Sequence, residues 1–196
     1  ILAMADYPFF NPNSFGDFDR YQWRNRAITD PFEPGSTMKI FSAAAAIESA
    51  GCTPNSIFFC ENGSYRIGPN VIHDVKSYGW MSLHHIVKYS SNIGTAKISE
   101  LLGAKRLYTT LRGFGFGQKT GIDCPGETAG ALRPYRKWYK IDTASVAFGQ
   151  GVSVSALQLI TATSAIANDG IPMQPYVVEA ITDQNGKLIR TFGPQQ

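Results

Sequence analysis

The run Ser42–Gly51, SAAAAIESAG, constrains the fold more than any other part of the sequence. Alanine is the strongest helix former but carries almost no bulk. A helix built on four consecutive alanines is useful only where neighbouring elements approach its backbone closely. Pro34-Gly35 supplies the turn into it, Ser36 or Thr37 a hydroxyl able to cap it, and Gly51 the stop. The pattern predicts a helix over 38–48, closely surrounded by other elements.

A second long helix is expected in SALQLITATSAIANDG, ending at Asn168–Gly170; it is apolar on nearly every face, which assigns it to an interior. MSLHHIVKY and NIGTAKISELLG read as two further helices, the latter ended by Gly103, and residues 104–112 as another short one. Strand signals flank these helices. Residues 1–5 resemble the end of a strand, followed by a loop to about Asp30. Residues 57–67 predict a hairpin around Asn62-Gly63, and YVVEAIT and KLIRTF a hairpin turning at Asn185-Gly186. Helices in the middle with strands at both ends predict an α+β domain, a sheet packed on a helical cluster. The abrupt apolar beginning and the FGPQQ end give the look of a chain cut on both sides.

At 196 residues the chain is long enough for one domain with a proper core. Its net charge of +3 implies no strong preference for polyanions. The cluster Arg133–Lys140, RPYRKWYK, interleaves cations with aromatics, but no nucleic-acid motif accompanies it, and nucleic acid is not expected as a partner. A solvated loop is the simpler account. Cys52, Cys60 and Cys124 show no zinc spacing, although Cys52 and Cys60 are near enough in sequence to be bridged. His73, His84 and His85 lack the HExxH pattern, so no metal is expected. No stretch has the length of a membrane span.

Ser36 and Lys39 form the only Ser-x-x-Lys in the chain. About one such match is expected by chance at this length, so placement matters more than occurrence. Three residues apart on a helix, the two side chains share a face. Ser36 also falls in the first turn, where free N–H groups favour developing negative charge. A lysine that loses its proton on burial can accept the serine proton and activate the hydroxyl as a nucleophile. The plain alternative is a capping serine with a solvated lysine one turn on. Ser90-Ser91-Asn92 is the sole Ser-x-Asn and falls at a break between two helices. Helix capping explains it equally well in isolation.

Together the two fragments support a specific resemblance. RNRAITDPFEPGSTMKIFSAAAAIES resembles the active-site segment of class B penicillin-binding proteins, the peptidoglycan D,D-transpeptidases, and KYSSNIGTAKI resembles their second motif. GFGFGQKTGIDCPGE and AFGQGVSVSALQLITATSAIANDGIPMQP resemble two further segments beside the cleft, in the family's order. The lead-in RNRAITD resembles the septal, FtsI-like branch. The resemblance implies a penicillin-binding-protein/β-lactamase-like fold over 1–196. It implies catalytic Ser36, Lys39 as base, Ser90 as proton shuttle, Asn92 binding the substrate amide, and the Ser36 N–H as an oxyanion donor. The implied partners are peptidoglycan stem peptides and β-lactams, with divisome or other cell-wall synthesis proteins for the parent. No cofactor is implied. The parent would act on the outer face of a bacterial inner membrane, tethered by a segment outside this chain.

Lys119-Thr120-Gly121 has the letters of the family's third motif but stands among Gly113, Gly115, Gly117 and Pro125-Gly126, a setting that disfavours a strand. It also precedes the apolar helix, whereas the family's motif follows it. The triplet is therefore read as a decoy, with the substrate-gripping motif expected past Gln196 and the first strand or strands also absent. Loss of an oxyanion donor costs about 10²–10³ in rate, so little turnover is expected of the 196 residues alone. A β-lactamase or D,D-carboxypeptidase on the same fold, a penicillin sensor or scaffold protein without turnover, and a plain α+β binding domain remain open at this point. Glu127 is the one acid whose surroundings resemble those of a water-activating base, although Pro-Gly-Glu reads as a turn.

Overall fold

The computed structural model describes residues 1–195. In chain order it contains α1 (Arg26–Thr29), α2 (Lys39–Ala50), β1 (Ile57–Phe59), β2 (Ser64–Ile67), β3 (Asn70–His73) and β4 (Trp80–Ser82). These are followed by α3 (Leu83–Lys88), α4 (Asn92–Gly113), α5 (Lys140–Ala147), α6 (Ala156–Ala167), β5 (Ala180–Thr182) and β6 (Leu188–Thr191). The α+β expectation holds. Among the described residues the strands form antiparallel two-stranded ribbons, β1–β4, β2–β3 and β5–β6, rather than one sheet. Two compact units result: residues 33–113 with 131–153, and residues 1–32 with 114–130 and Val154 onward.

The first unit is built around α2. Phe41, Ala45 and Ala46 have no exposed surface, and the neighbouring Ser42 hydroxyl, equally buried, donates to Ala147 O at 2.7 Å. The small side chains admit α4 to close range, as the alanine run requires, and Ser42 ties the helix to the end of α5. Truncating Phe41 would cost about 3–5 kcal/mol. Gly51 ends the helix in a left-handed conformation, φ 66°. The entry differs from expectation: Gly35–Met38 forms a 3-10 turn, and neither Ser36 nor Thr37 caps α2 by a side-chain hydrogen bond. Thr37 Oγ1 instead donates back to Pro34 O.

The hairpin expected over 57–67 does not form. Glu61 and Asn62 both adopt left-handed backbone, φ 51°, so Asn62-Gly63 makes a corner instead of a two-residue hairpin turn. β1 consequently pairs with β4, and β2 pairs with β3 around Gly68-Pro69. The segment read as one helix from Met81 splits, with Trp80–Ser82 forming β4 before Ser82 Oγ caps α3 through His85 N–H. α4 is two helical stretches meeting at a kink, where Gly103 leaves helical geometry at φ 71°, ψ 158°. This is the break that the sequence places there.

In the second unit, residues 1–5 are not a strand, and the stretch read as loop contains 3-10 turns and α1. Its core joins Ile28, Ile122 and Leu157, with Met4 and Cys124 against it. Ser155 and Gln158 form a reciprocal capping box at the start of α6. This helix is not enclosed on all faces: Leu157, Ala162 and Ala165 are buried, whereas Ile160 is 59% exposed and Ile166 41%. The β5–β6 hairpin forms as expected and is fully exposed, its turn held by Asp183, which accepts from Asn185 and Lys187 N–H groups.

Candidate active site

Ser36, Lys39, Ser90 and Asn92 all belong to the first unit. In the 3-10 turn ahead of α2, residues three apart eclipse, so Ser36 and Lys39 rise from the same side of the chain. Lys39 N–H closes the turn on Ser36 O. The turn is pinned from outside by a close backbone crossing: Gly35 N–H donates to Gly149 O at 3.0 Å. A Cβ on Gly149 would lie 2.0 Å from Gly35 O, and Gly149 has φ 85°, so only glycine fits there. Glu33 and Gly151 add a second tie, from Gly151 N–H to Glu33 Oε1 at 2.9 Å.

Ser36 is exposed. Among the described residues, neither its hydroxyl nor its backbone N–H makes a hydrogen bond. A free N–H at the first turn of a helix is the expected consequence of geometry. It leaves a free donor on the same residue as the exposed hydroxyl.

Lys39 is the opposite case, with only 3% of its surface exposed. Its ammonium donates to Ser90 O at 2.5 Å, Ser90 Oγ at 2.9 Å and Asn92 Oδ1 at 2.7 Å. An ammonium has three donors, and these contacts use all of them. The motif pair anticipated from sequence is thus in direct contact, although Lys39 is engaged by the second motif and not by Ser36. Burial pushes the Lys39 amine down to about 8, while the Asp74 carboxylate opposes the shift by favouring the charged form. The amine is therefore placed within reach of losing its proton near neutral pH.

Ser90 presents both oxygens to Lys39 because its backbone is left-handed, φ 57°, an uncommon conformation for serine. It follows the C-terminal end of α3 and precedes α4. Asp74 holds the other side of this corner. Its Oδ1 accepts from the Asn92 and Ile93 N–H groups, and its Oδ2 accepts from Ser91 Oγ at 2.6 Å. A carboxylate there satisfies orphan donors and complements the helix dipole. Asn92 Nδ2 donates to His73 O at 3.1 Å, which orients its amide so that Oδ1 faces Lys39. Asp74 escapes the sequence because capping signals are sought next to a helix, and this cap arrives from 18 residues upstream.

Lys119-Thr120-Gly121 lies in the second unit and outside any strand. Buried Glu127 takes it up: Oε1 accepts from Thr120 N–H and Thr120 Oγ1, both at 2.6 Å, and Oε2 from Gly121 N–H at 3.1 Å. The threonine hydroxyl is thereby committed to a structural turn. Among the described residues no three His, Cys, Asp or Glu side chains cluster as a metal site, no helix is long and apolar enough to cross a membrane, and Cys52, Cys60 and Cys124 are unpaired.

A family model described as the penicillin binding protein transpeptidase domain matches residues 1–196. The probable peptidoglycan D,D-transpeptidase PenA of Neisseria flavescens is 39% identical over 192 residues, covering 97% of this chain and 47% of that protein. Penicillin-binding protein PbpB of Mycobacterium tuberculosis is 37% identical over 198 residues, covering 100% of this chain and 29% of that protein. The chain thus spans less than half the length of either relative. Among solved structures, penicillin binding protein 3 of M. tuberculosis complexed with aztreonam gives a TM-score of 0.81 at 36% identity, over 89% of this chain and 39% of that one. The chain belongs to the penicillin-binding protein transpeptidase family.

Proposed function

We propose that Ser36 is the nucleophile of a peptidoglycan D,D-transpeptidase. Its Oγ attacks the carbonyl carbon between the two terminal D-alanines of a stem peptide. The Ser36 proton passes to the neutral Lys39 amine and, through Ser90 Oγ, to the departing D-alanine amine. An amine of a neighbouring stem peptide then attacks the ester, forms the cross-link and restores the Ser36 hydroxyl. Asn92 orients the substrate amide, and the Ser36 N–H stabilises the developing oxyanion, a contribution of about 10²–10³ in rate for a typical donor.

The observation that carries this reading is the buried Lys39 amine held by Ser90 and Asn92, with its proton affinity brought down to about 8. PenA and PbpB, whose names state a transpeptidase and a penicillin-binding protein, support the same reading. A role at division, on the outer face of the inner membrane and alongside other cell-wall synthesis proteins, is part of the proposal. The similarity to stage V sporulation protein D of Bacillus subtilis, 35% identical over 93% of this chain, is compatible with it. A grip on the substrate carboxylate comes, on this reading, from residues other than Lys119–Gly121, and the 196 residues alone turn over slowly. Against the β-lactamase alternative stands Glu127, whose two oxygens are already taken by Thr120 and Gly121.

Fluorescent-penicillin labelling followed by peptide mapping tests the proposal. A single adduct on Ser36, lost in Ser36→Ala and strongly reduced in Lys39→Ala, is expected in a form of the protein that includes this chain. An adduct that survives Ser36→Ala refutes it.

A further inference from the structure

On the first unit, residues 99–104 of α4 and residues 138–143 enclose a groove of about 530 Å³. It is anchored by aromatic packing: the Tyr108 ring meets Tyr135 at 5.5 Å and Trp138 at 5.9 Å, which holds the turn before α5 against α4. Trp138 and Tyr139 both line the groove, and Tyr139 is 79% exposed with its ring on the surface. An aromatic ring left this open at the lip of a concave site is a contact surface waiting for an apolar face.

The charge around the groove is uneven. The unit carries twelve Lys and Arg against six Asp and Glu, a net +6, while the whole chain is only +3. Of the two acids at the groove, Glu100 lines it and accepts from the neutral Tyr65 hydroxyl, whereas the Asp142 carboxylate is paired with Arg133 and also accepts from the Tyr139 N–H. Lys137 and Lys140 have no acidic partner among the described residues, nor has Lys105, which shares a helix face with Tyr108. The surface therefore combines an open aromatic lip with uncompensated cations.

We propose that this groove is an accessory site for a carboxylate-bearing glycan strand, separate from the serine site. The apolar C–H face of a sugar ring packs on Tyr139 and Trp138, and carboxylates of the attached peptides meet Lys137 and Lys140. The identification of the polymer as peptidoglycan rests on the transpeptidase reading; the saccharide-plus-anion chemistry does not. Such a site holds a polymer on the unit that carries Ser36 without touching the reacting atoms, so it raises the effective concentration of stem peptides.

The test uses the 196-residue chain with isolated peptidoglycan in co-sedimentation, and with soluble peptide-bearing glycan fragments in calorimetry. Lys137→Glu/Lys140→Glu is expected to weaken binding about tenfold and Tyr139→Ala about fivefold. All three positions are exposed, and matching thermal melts certify folding. Binding within twofold of the parent in both groove variants overturns the proposal. So does polyglutamate binding as tightly as the glycan with no effect of Tyr139→Ala, which would mark a surface for an acidic partner. Loss of penicillin labelling at Ser36 with groove-dependent binding intact would sink the catalytic reading alone.

Discussion

Lys39 Nζ donates to both the carbonyl oxygen and the hydroxyl of Ser90, at 2.5 and 2.9 Å, because Ser90 sits in left-handed backbone at φ 57°. The conformation costs about 1–2 kcal/mol in a non-glycine residue. Ser90→Gly relieves that cost while removing the hydroxyl. Stability in urea is expected to stay within about 1 kcal/mol of the parent, because strain relief offsets the lost hydrogen bond. The β-lactam acylation rate is expected to fall about 10²-fold, as for loss of a positioned proton carrier. An unchanged rate would remove Ser90 from the mechanism.

Asp74 ties the β3 end to the start of α4 through the Asn92 and Ile93 N–H groups and Ser91 Oγ. Asp74→Ala strips that cap and is expected to lower unfolding free energy by about 1–2 kcal/mol. Asp74→Asn keeps an acceptor and should lose less. Denaturant titration of the two variants separates them; equal losses would mean that the charge, and not the acceptor, does the capping.

Gly149 crosses the turn that bears Ser36 at close range. In Gly149→Ala the added carbon would stand 2.0 Å from Gly35 O, against rigid backbone and at a positive φ. A loss of about 3 kcal/mol or more is expected, together with slower acylation because the turn bearing Ser36 must move. Acylation at the parent rate would show that the crossing does not set the position of Ser36.

Lys119→Ala and Glu127→Gln discriminate the role of the Lys-Thr-Gly triplet. Lys119→Ala is expected to leave β-lactam acylation within twofold. Glu127→Gln, which weakens three hydrogen bonds to a buried carboxylate, is expected to cost about 1–3 kcal/mol of stability. Acylation abolished by Lys119→Ala would restore the triplet as the substrate grip.

Much of this was legible in sequence. The alanine run announced a tightly enclosed α2, Gly103 marked the break in α4, and Asn185-Gly186 marked the turn between β5 and β6. These are local signals, set by propensity and backbone freedom. The misreadings were decided by tertiary partners. Asn62-Gly63 looked like a hairpin turn, but β1 found its partner across to β4. The α6 sequence looked enclosed because composition cannot say which apolar residues are covered; Ile160 and Ile166 remain largely open. At the site, Ser36, Lys39, Ser90 and Asn92 were visible as short motifs. Asp74 and Gly149 were not, since each acts through a contact that no spacing rule encodes.

The pH dependence of β-lactam acylation tests the central claim most directly. Lys39 must be neutral to accept the Ser36 proton, and burial brings its amine down to about 8. Below that value the neutral fraction falls with each unit of pH, so the rate is expected to drop about tenfold per unit and to level off above it. Asp74 favours the charged amine, so Asp74→Asn is expected to move the midpoint to lower pH, and Lys39→Ala to abolish the profile. A rate that is flat from about pH 6 to about pH 9, or a midpoint that rises in Asp74→Asn, would contradict the assignment of Lys39 as the base.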